Sequence, residues 1–135
     1  MTIDELSELH CLNCEIEKDK ERLEELKQRS YSVSVDNTKR IPGKKRYVAG
    51  STTDRFIADI IELEERIYKK MRRSVQKQIK IERYISNIPD SLTRLIFTER
   101  FINGMSWAKI ARSVGGHNTE DSVKKICYRY INTSV

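Results

Sequence analysis

Apolar residues in the N-terminal stretch recur at three- and four-residue steps, and neither glycine nor proline occurs among residues 3–29. This spacing predicts a helix over residues 3–29 with one narrow apolar stripe. Asp19 interrupts the stripe. Because the rest of its surface is polar, we expect this helix to pack on another helix. The stripe consists of Leu9, Leu12, Ile16, Leu23 and Leu26.

A second, longer alternation of three- and four-residue steps predicts a helix from Thr53 to about Asn87 and is typical of a coiled-coil seam. Its polar members would fix the register or the oligomeric state. Either the first helix folds back antiparallel on this seam or two chains share it, and both arrangements are compatible with each other. The seam consists of Ile57, Ile60, Glu64, Ile67, Met71, Ser74, Gln78, Ile81, Ile85 and Ile88.

Between the two predicted helices, residues 30–52 lack helical periodicity and contain a Pro-Gly pair, a further glycine and five Lys or Arg residues. We expect a mobile basic loop here, whose charge either contacts phosphates or is simply solvated. A marginal hairpin is the alternative, because short alternating runs are present. These runs contain Tyr31, Val33, Val35, Tyr47 and Val48.

After Ile88 the pattern changes from long helices to short ones. Pro89 and Asp90 end the second helix, and Asp90 or Ser91 can cap a third helix, SLTRLIFTERFI. Asn103-Gly104 is suited to the end of that helix, because both residues tolerate left-handed backbone. Its predicted apolar face consists of Leu92, Leu95, Ile96, Phe101 and Ile102.

Two more short helices follow, separated by a glycine pair. Ser106 is expected to cap WAKIARSV, and Asn118 or Thr119 to cap EDSVKKICYRYI. Gly115-Gly116 forces a sharp reversal between them. The residues predicted to point inward are Trp107, Ile110, Ala111, Val114, Val123, Ile126, Cys127, Tyr130 and Ile131.

The predicted fold is all-α. It has a helical hairpin or coiled-coil region at residues 1–88, with the basic loop at 30–52, and a small three-helix bundle at residues 89–135. A tight turn between the last two helices is the layout of a helix-turn-helix, whose second helix enters the major groove of DNA. Its outer face and the preceding helix offer hydrogen-bond donors to a duplex. The predicted DNA-binding residues are Asn118, Thr119, Ser122, Lys124, Lys125, Arg129, Lys109 and Arg112.

Within this set we expect different contacts from different positions. Thr119 and Ser122 lie at the first turn of the last helix, where base contacts usually fall, and Lys125 and Arg129 suit phosphates. Lys109 and Arg112 on the preceding helix, with Arg94 and Arg100 before it, would hold the flanking DNA backbone. The neighbouring acidic pair is better explained by its position at a helix N-terminus than by a contact with cytosine. That pair is Glu120 and Asp121.

Charge is distributed unevenly along the chain. The net charge is +6, yet residues 1–29 carry five basic and nine acidic residues, while residues 91–135 carry seven basic and three acidic ones. Such asymmetry favours a polyanionic partner for the C-terminal part and a different role for the N-terminal part. Solubilising surface charge is the alternative explanation.

The stretch from Phe97 to Ile131 resembles the helix-turn-helix of region four of bacterial sigma factors, and it is more similar still to phage late-gene transcription regulators of the ArpU and RinA type. The matching features are RFINGMSWAKIA, with its glycine turn and Trp-anchored helix, and the segment GGHNTEDSVKK. The resemblance implies that Thr119, Ser122, Lys124 and Lys125 face DNA, and that the protein activates late genes. The interval between the last two helices is somewhat longer than in sigma-like domains.

Few residues favour catalysis or metal binding. His10, Cys11 and Cys14 form an H-C-x-x-C run, but structural zinc needs four ligands, and the remaining candidates, His117 and Cys127, lie far along the chain. We therefore expect ordinary packing of these cysteines. Acid-base pairs, phosphate-binding glycine loops and nucleophile triads are not found in the sequence. We predict a protein that is not an enzyme and uses no metal or cofactor.

These observations predict a sequence-specific regulator of transcription that binds double-stranded DNA, and whose N-terminal half makes a homo-oligomer, a dimer or higher. RNA polymerase is a further candidate partner, through the acidic first helix. A small terminase subunit recognising a packaging site is one alternative, and a coiled-coil adaptor that binds only protein is another. No apolar run reaches the length of a membrane span and no signal peptide is evident, so we expect a cytoplasmic protein of a bacterial host cell.

Overall fold

A computed structural model of the protein describes residues 1–38 and 47–133, and the side chains of residues 1–31 and 54–133. The described residues are all-α, as predicted, and include no strand. None of the helices described is both long enough and apolar enough to cross a membrane. The helices are α1 (Ile3–Thr38), α2 (Tyr47–Ser86), α3 (Ser91–Phe97) continued by a π-helical segment (Thr98–Ile102), α4 (Trp107–Val114) and α5 (Glu120–Thr133).

Both long helices extend further than the sequence predicts. Thr2 and Glu5 cap the start of α1 reciprocally, since each backbone N–H donates to the side chain of the other residue, at 3.0 and 3.2 Å. At its other end α1 continues to Thr38, and α2 already begins at Tyr47. The predicted hairpin is therefore wrong, because its alternating residues lie in helices. The predicted basic loop at 30–52 is also wrong for residues 30–38 and 47–52, which are helical, and its middle, residues 39–46, falls outside the described residues.

Two compact units make up the chain, one formed by residues 14–72 and the other by residues 1–13 together with residues 73 onward. In the first unit, Lys70 of α2 donates to Asp19 of α1 at 2.7 Å and lies 3.5 Å from Glu15. The hydrogen bond to Asp19 raises the pKa of Lys70. Asp19 thus interrupts the apolar stripe of α1, as predicted. This polar position is accommodated because Asp19 forms an ion pair with Lys70 of α2 in the same chain.

The buried face of α2 in this unit differs from the predicted seam. Leu63 and Ile67 are buried and Ile60 is half-buried, whereas Ile57 and Met71 are exposed. Glu64, predicted as a polar seam member, is exposed as well. The predicted seam is wrong at Ile57, Glu64 and Met71 and right at its other positions, because α2 carries two adjacent stripes of heptad spacing and the predicted seam alternates between them. Only one of the two stripes is the buried one.

In the other unit, α1 and α2 run antiparallel, because Glu8 pairs with Lys77 at 2.7 Å while the later residue Asn13 pairs with the earlier residue Ser74. The fold-back within one chain that the sequence left open is therefore present. The ends of both helices enter one core with α3, α4 and α5. Their buried residues in this core are Leu6, Leu9, Ile81 and Ile85, and Ile88, two residues after α2, is buried with them.

This shared core gives residues 89–135 a different structural context from the predicted one. We expected a three-helix bundle divided from the rest at residue 88. Instead, the compact unit includes the start of α1 and the end of α2, because α3, α4 and α5 are too short to enclose their apolar faces by themselves. Tyr84 of α2 illustrates this, since its ring lies 6.1 Å from Phe97 and 6.3 Å from Tyr130.

The third predicted helix is present, but its buried face differs from the predicted one and its second part is π-helical. Asp90 caps α3 as predicted, accepting from the Thr93 backbone N–H at 2.9 Å and from its hydroxyl at 2.6 Å. Phe97, which the sequence analysis did not place in the core, is fully buried there, whereas the predicted face residue Leu95 is 42% exposed. The helix then widens into the π-helical segment, where Thr98 also donates its hydroxyl to the Arg94 carbonyl.

Candidate nucleic-acid interface

Helix α4 and the turn after it form as the sequence predicts. The Ser106 hydroxyl accepts from the backbone N–H of Lys109 at 3.3 Å and caps the start of α4. At the other end Gly115 and Gly116 have φ angles of 71° and 66°. Gly115 also has ψ near −160°, a combination that is essentially restricted to glycine. The glycine pair therefore sets the reversal between α4 and α5.

The start of α5 is built from three of the residues predicted to bind DNA. The Thr119 backbone N–H donates to the Ser122 hydroxyl at 2.9 Å, and the Ser122 backbone N–H donates to the Thr119 hydroxyl at 3.1 Å. Asn118 is half-buried, and its amide donates to the Gly115 carbonyl at 3.2 Å. These side chains hold the turn and the helix start, and Thr119 is the most exposed of the three. Their predicted contacts with DNA stay a prediction.

The inward faces of α4 and α5 agree with the prediction. Trp107, Ile110 and Ala111 of α4 are buried, and so are Val123, Cys127 and Ile131 of α5. Val114, Ile126 and Tyr130 are half-buried. Because the buried residues of α5 recur every four residues, they fix which side of that helix faces solvent.

The five predicted cations of this region all lie at exposed positions. Lys125 and Arg129 each follow a buried residue by two positions, which places them about 200° around α5 from the core. Arg112 stands in the same relation to Ile110 on α4. None of the five forms an ion pair with any residue whose side chain the structure describes. The five are Lys109, Arg112, Lys124, Lys125 and Arg129.

Two other arginines that the sequence suggested for phosphate contacts have partners within the protein. Arg94 donates to the Ile88 carbonyl at 2.6 Å and to the Pro89 carbonyl at 3.1 Å, so it binds the connection between α2 and α3. Arg100 donates to the Met105 carbonyl at 3.1 Å, and its guanidinium lies 4.5 Å from the centre of the Trp107 ring. These contacts stabilise the packing of the short helices and do not favour the phosphate role.

Tyr128 belongs to the exposed side of α5, although the sequence analysis did not include it. Its side chain is 37% exposed, and its ring lies 6.2 Å from that of Trp107. Tyrosine hydroxyls commonly donate to phosphate oxygens, so its position beside the cations adds a donor to this surface. Its spacing of three residues from Lys125 is the feature from which it was predictable.

Two of the three cysteines do not behave as expected from the sequence, whereas Cys127 is buried as predicted. Cys11 and Cys14 are exposed, so they do not take part in core packing, because the buried stripe of α1 passes through Leu9 and Leu12. Cys127 is fully buried, and burial raises the pKa of its thiol to about 12. Across the described residues, no group of three or more His, Cys, Asp or Glu side chains is placed to hold a metal ion.

Comparisons of the chain with protein families, with curated proteins and with solved structures found no match. The geometry of α4, α5 and the turn between them is therefore what indicates a function.

Proposed function

We propose that this protein binds double-stranded DNA through α4 and α5 and acts as a sequence-specific regulator of transcription. The observation that carries the proposal is the set of five exposed cations on the two helices that flank the glycine turn, without ion pairs to the described residues. A surface that neutralised its own charge would have little affinity for phosphates. This one leaves the charge available to a polyanion.

The arrangement assigns different tasks to the two helices. In a helix-turn-helix the second helix lies in the major groove and the first crosses the backbone, so α5 takes the groove and α4 the phosphates beside it. Lys125, Arg129 and Tyr128 lie on the outer side of α5, and Thr119 is exposed at its first turn. Two copies of the chain would address two half-sites, which suits a palindromic or directly repeated operator.

Salt dependence of DNA binding provides a quantitative test. If all five cations contact phosphates, log K should fall with log salt at a slope of about −4.5 per bound chain, since each contact contributes about −0.9. Affinity for a random duplex should then fall about 500-fold between about 50 and 200 mM salt. Fluorescence anisotropy with a labelled duplex measures both quantities.

A matched pair of variants separates this surface from general charge attraction. Lys125→Gln removes one cation from α5, and we expect it to weaken binding and to reduce the salt slope by about one. Lys18→Gln on α1 changes the net charge equally at another exposed position, and we expect it to leave the slope unchanged. Equal effects of the two variants, or no affinity for duplex at low salt, would rule out the proposal and favour a partner that is protein.

A further inference from the structure

Helix α2 carries an apolar stripe that no described part of the chain covers. Within residues 14–72, four large apolar side chains on α2 are exposed by 43 to 63%. They lie at positions separated by four, seven and three residues, which is the spacing of a heptad seam with one member, Glu64, being polar. The stripe consists of Ile57, Ile61, Tyr68 and Met71.

This stripe is separate from the face of α2 that is buried. The buried positions are Leu63 and Ile67, with Ile60 and Lys70 half-buried beside them. Because each residue turns the helix by about 100°, the two sets of positions lie about 100° apart around α2. The exposed stripe extends over roughly 20 Å of the helix. An exposed apolar stripe of this kind is typical of an interface.

Charge along the same segment indicates what covers the stripe. Residues 54–65 contain five acidic residues and one basic residue, giving a net charge of −4, and residues 66–72 contain four basic residues and no acidic one, giving +4. Lys70 pairs with Asp19 and Glu15, and Arg66 with Glu62, within the chain. Asp54 and Arg72 lie on the same flank beside the stripe, because they are 18 residues or five helical turns apart, so the stripe and its flank are self-complementary when the segment is turned end to end. The charged residues are Asp54, Arg55, Asp59, Glu62, Glu64, Glu65, Arg66, Lys69, Lys70 and Arg72.

We propose that a second copy of this chain covers the stripe, with the two α2 helices antiparallel, so that the acidic part of each lies beside the basic part of the other. Parallel pairing would instead place the acidic parts of the two helices side by side, and likewise the two basic parts. Antiparallel pairing is isologous and closes at two chains. This interface does not depend on DNA binding, and the two proposals can fail separately.

Sedimentation velocity of the full chain from about 1 to about 300 µM tests the interface, because weak interfaces of limited area dissociate within this range. We expect a reversible monomer-dimer equilibrium. The double variant Ile61→Ser/Tyr68→Ser should be monomeric throughout. Both positions are exposed, so far-UV circular dichroism should be unchanged. Tyr31→Ser is the matched control: Tyr31 is 72% exposed but lies on α1 outside the stripe, and this variant should dimerise normally.

The direction of pairing can be tested because a single charge variant should change the dissociation constant in opposite directions for antiparallel and parallel dimers. In an antiparallel dimer that aligns the two stripes, Asp54 lies close to Arg72 of the second copy, so Asp54→Asn removes attraction and should raise the dissociation constant about ten-fold, and added salt should weaken the dimer of the original chain. In a parallel dimer the same variant removes repulsion and tightens association. Tightening, a wild-type chain that stays monomeric, or a stable oligomer that the serine variant does not disrupt would each overturn the proposal.

Discussion

Truncating Leu9 of α1 tests whether the start of α1 belongs to the core of the helix-turn-helix region. Leu9 is 1% exposed and lies in the same cluster as Ile110, Val123 and Trp107. Replacing it with alanine deletes three carbon atoms, which corresponds to about 2.4 kcal/mol of transfer free energy at about 0.8 kcal/mol per methylene. Because a rigid surrounding leaves a cavity, the total loss should reach about 3 to 5 kcal/mol.

The single tryptophan makes the assay specific. Trp107 lies in α4 and is 8% exposed, so its fluorescence during urea denaturation reports unfolding of the helix-turn-helix region itself. Since the whole free energy of unfolding of a small protein is about 5 to 15 kcal/mol, Leu9→Ala should lower the midpoint of the Trp107 transition strongly. Ser7→Ala changes an exposed residue of the same helical segment and should leave that midpoint within about 0.5 kcal/mol of the original.

An unchanged Trp107 transition in Leu9→Ala would refute this reasoning. It would mean that α3, α4 and α5 form a stable bundle without α1, as the sequence alone suggested. The boundary at residue 88 would then hold energetically, in spite of the shared core.

Two further predictions follow from titratable groups. The hydrogen bonds from Thr93 lower the pKa of Asp90 in the folded protein. Because the unfolded chain then binds a proton more readily than the folded one, the ionised Asp90 stabilises the fold. This contribution should be complete above the ordinary pKa of an aspartate and should be lost as the pH falls through the lowered value. Thermal unfolding between about pH 6 and pH 2 should therefore show a smaller loss of stability for Asp90→Asn than for the original chain, and identical profiles would contradict this. The buried Cys127 thiol, with its pKa near 12, should not react with a disulfide reagent in the folded protein, whereas the two exposed cysteines should. Three rapidly reacting thiols under native conditions would contradict it.

Local pattern predicted much of this fold, because short-range rules decide it. Asp90, Ser106 and the glycine pair mark the ends of the short helices, and each does so through contacts with residues at most five positions away. The inward positions of α4 and α5 follow from their four-residue spacing. Such features need no knowledge of which distant segment supplies the other side of the core.

The errors arose where partners distant in sequence decide the outcome. Two stripes on α2 satisfy the same heptad rule, and only the packing of α1 selects Leu63 over Glu64 as a buried position. Arg94 and Arg100 were misassigned for a different reason. Their partners lie only five to seven residues away, but the sequence pattern does not indicate that carbonyl groups and the Trp107 ring, and not solvent, bind these two cations. Charge and periodicity limit the possible contacts of a side chain without choosing among them.

The same dependence applies to the candidate DNA surface. Lys125 and Arg129 point away from the core only because Val123 and Cys127 are held on the opposite side of α5. That core includes Leu6 and Leu9 from α1 and Ile81 from α2, so residues outside the helix-turn-helix help to fix the orientation of its cations. A substitution at Leu9 should therefore weaken DNA binding without touching the duplex, whereas a substitution at Lys125 should weaken it without loss of stability. Measuring both properties for both variants separates the residues that contact DNA from those that position the contacts.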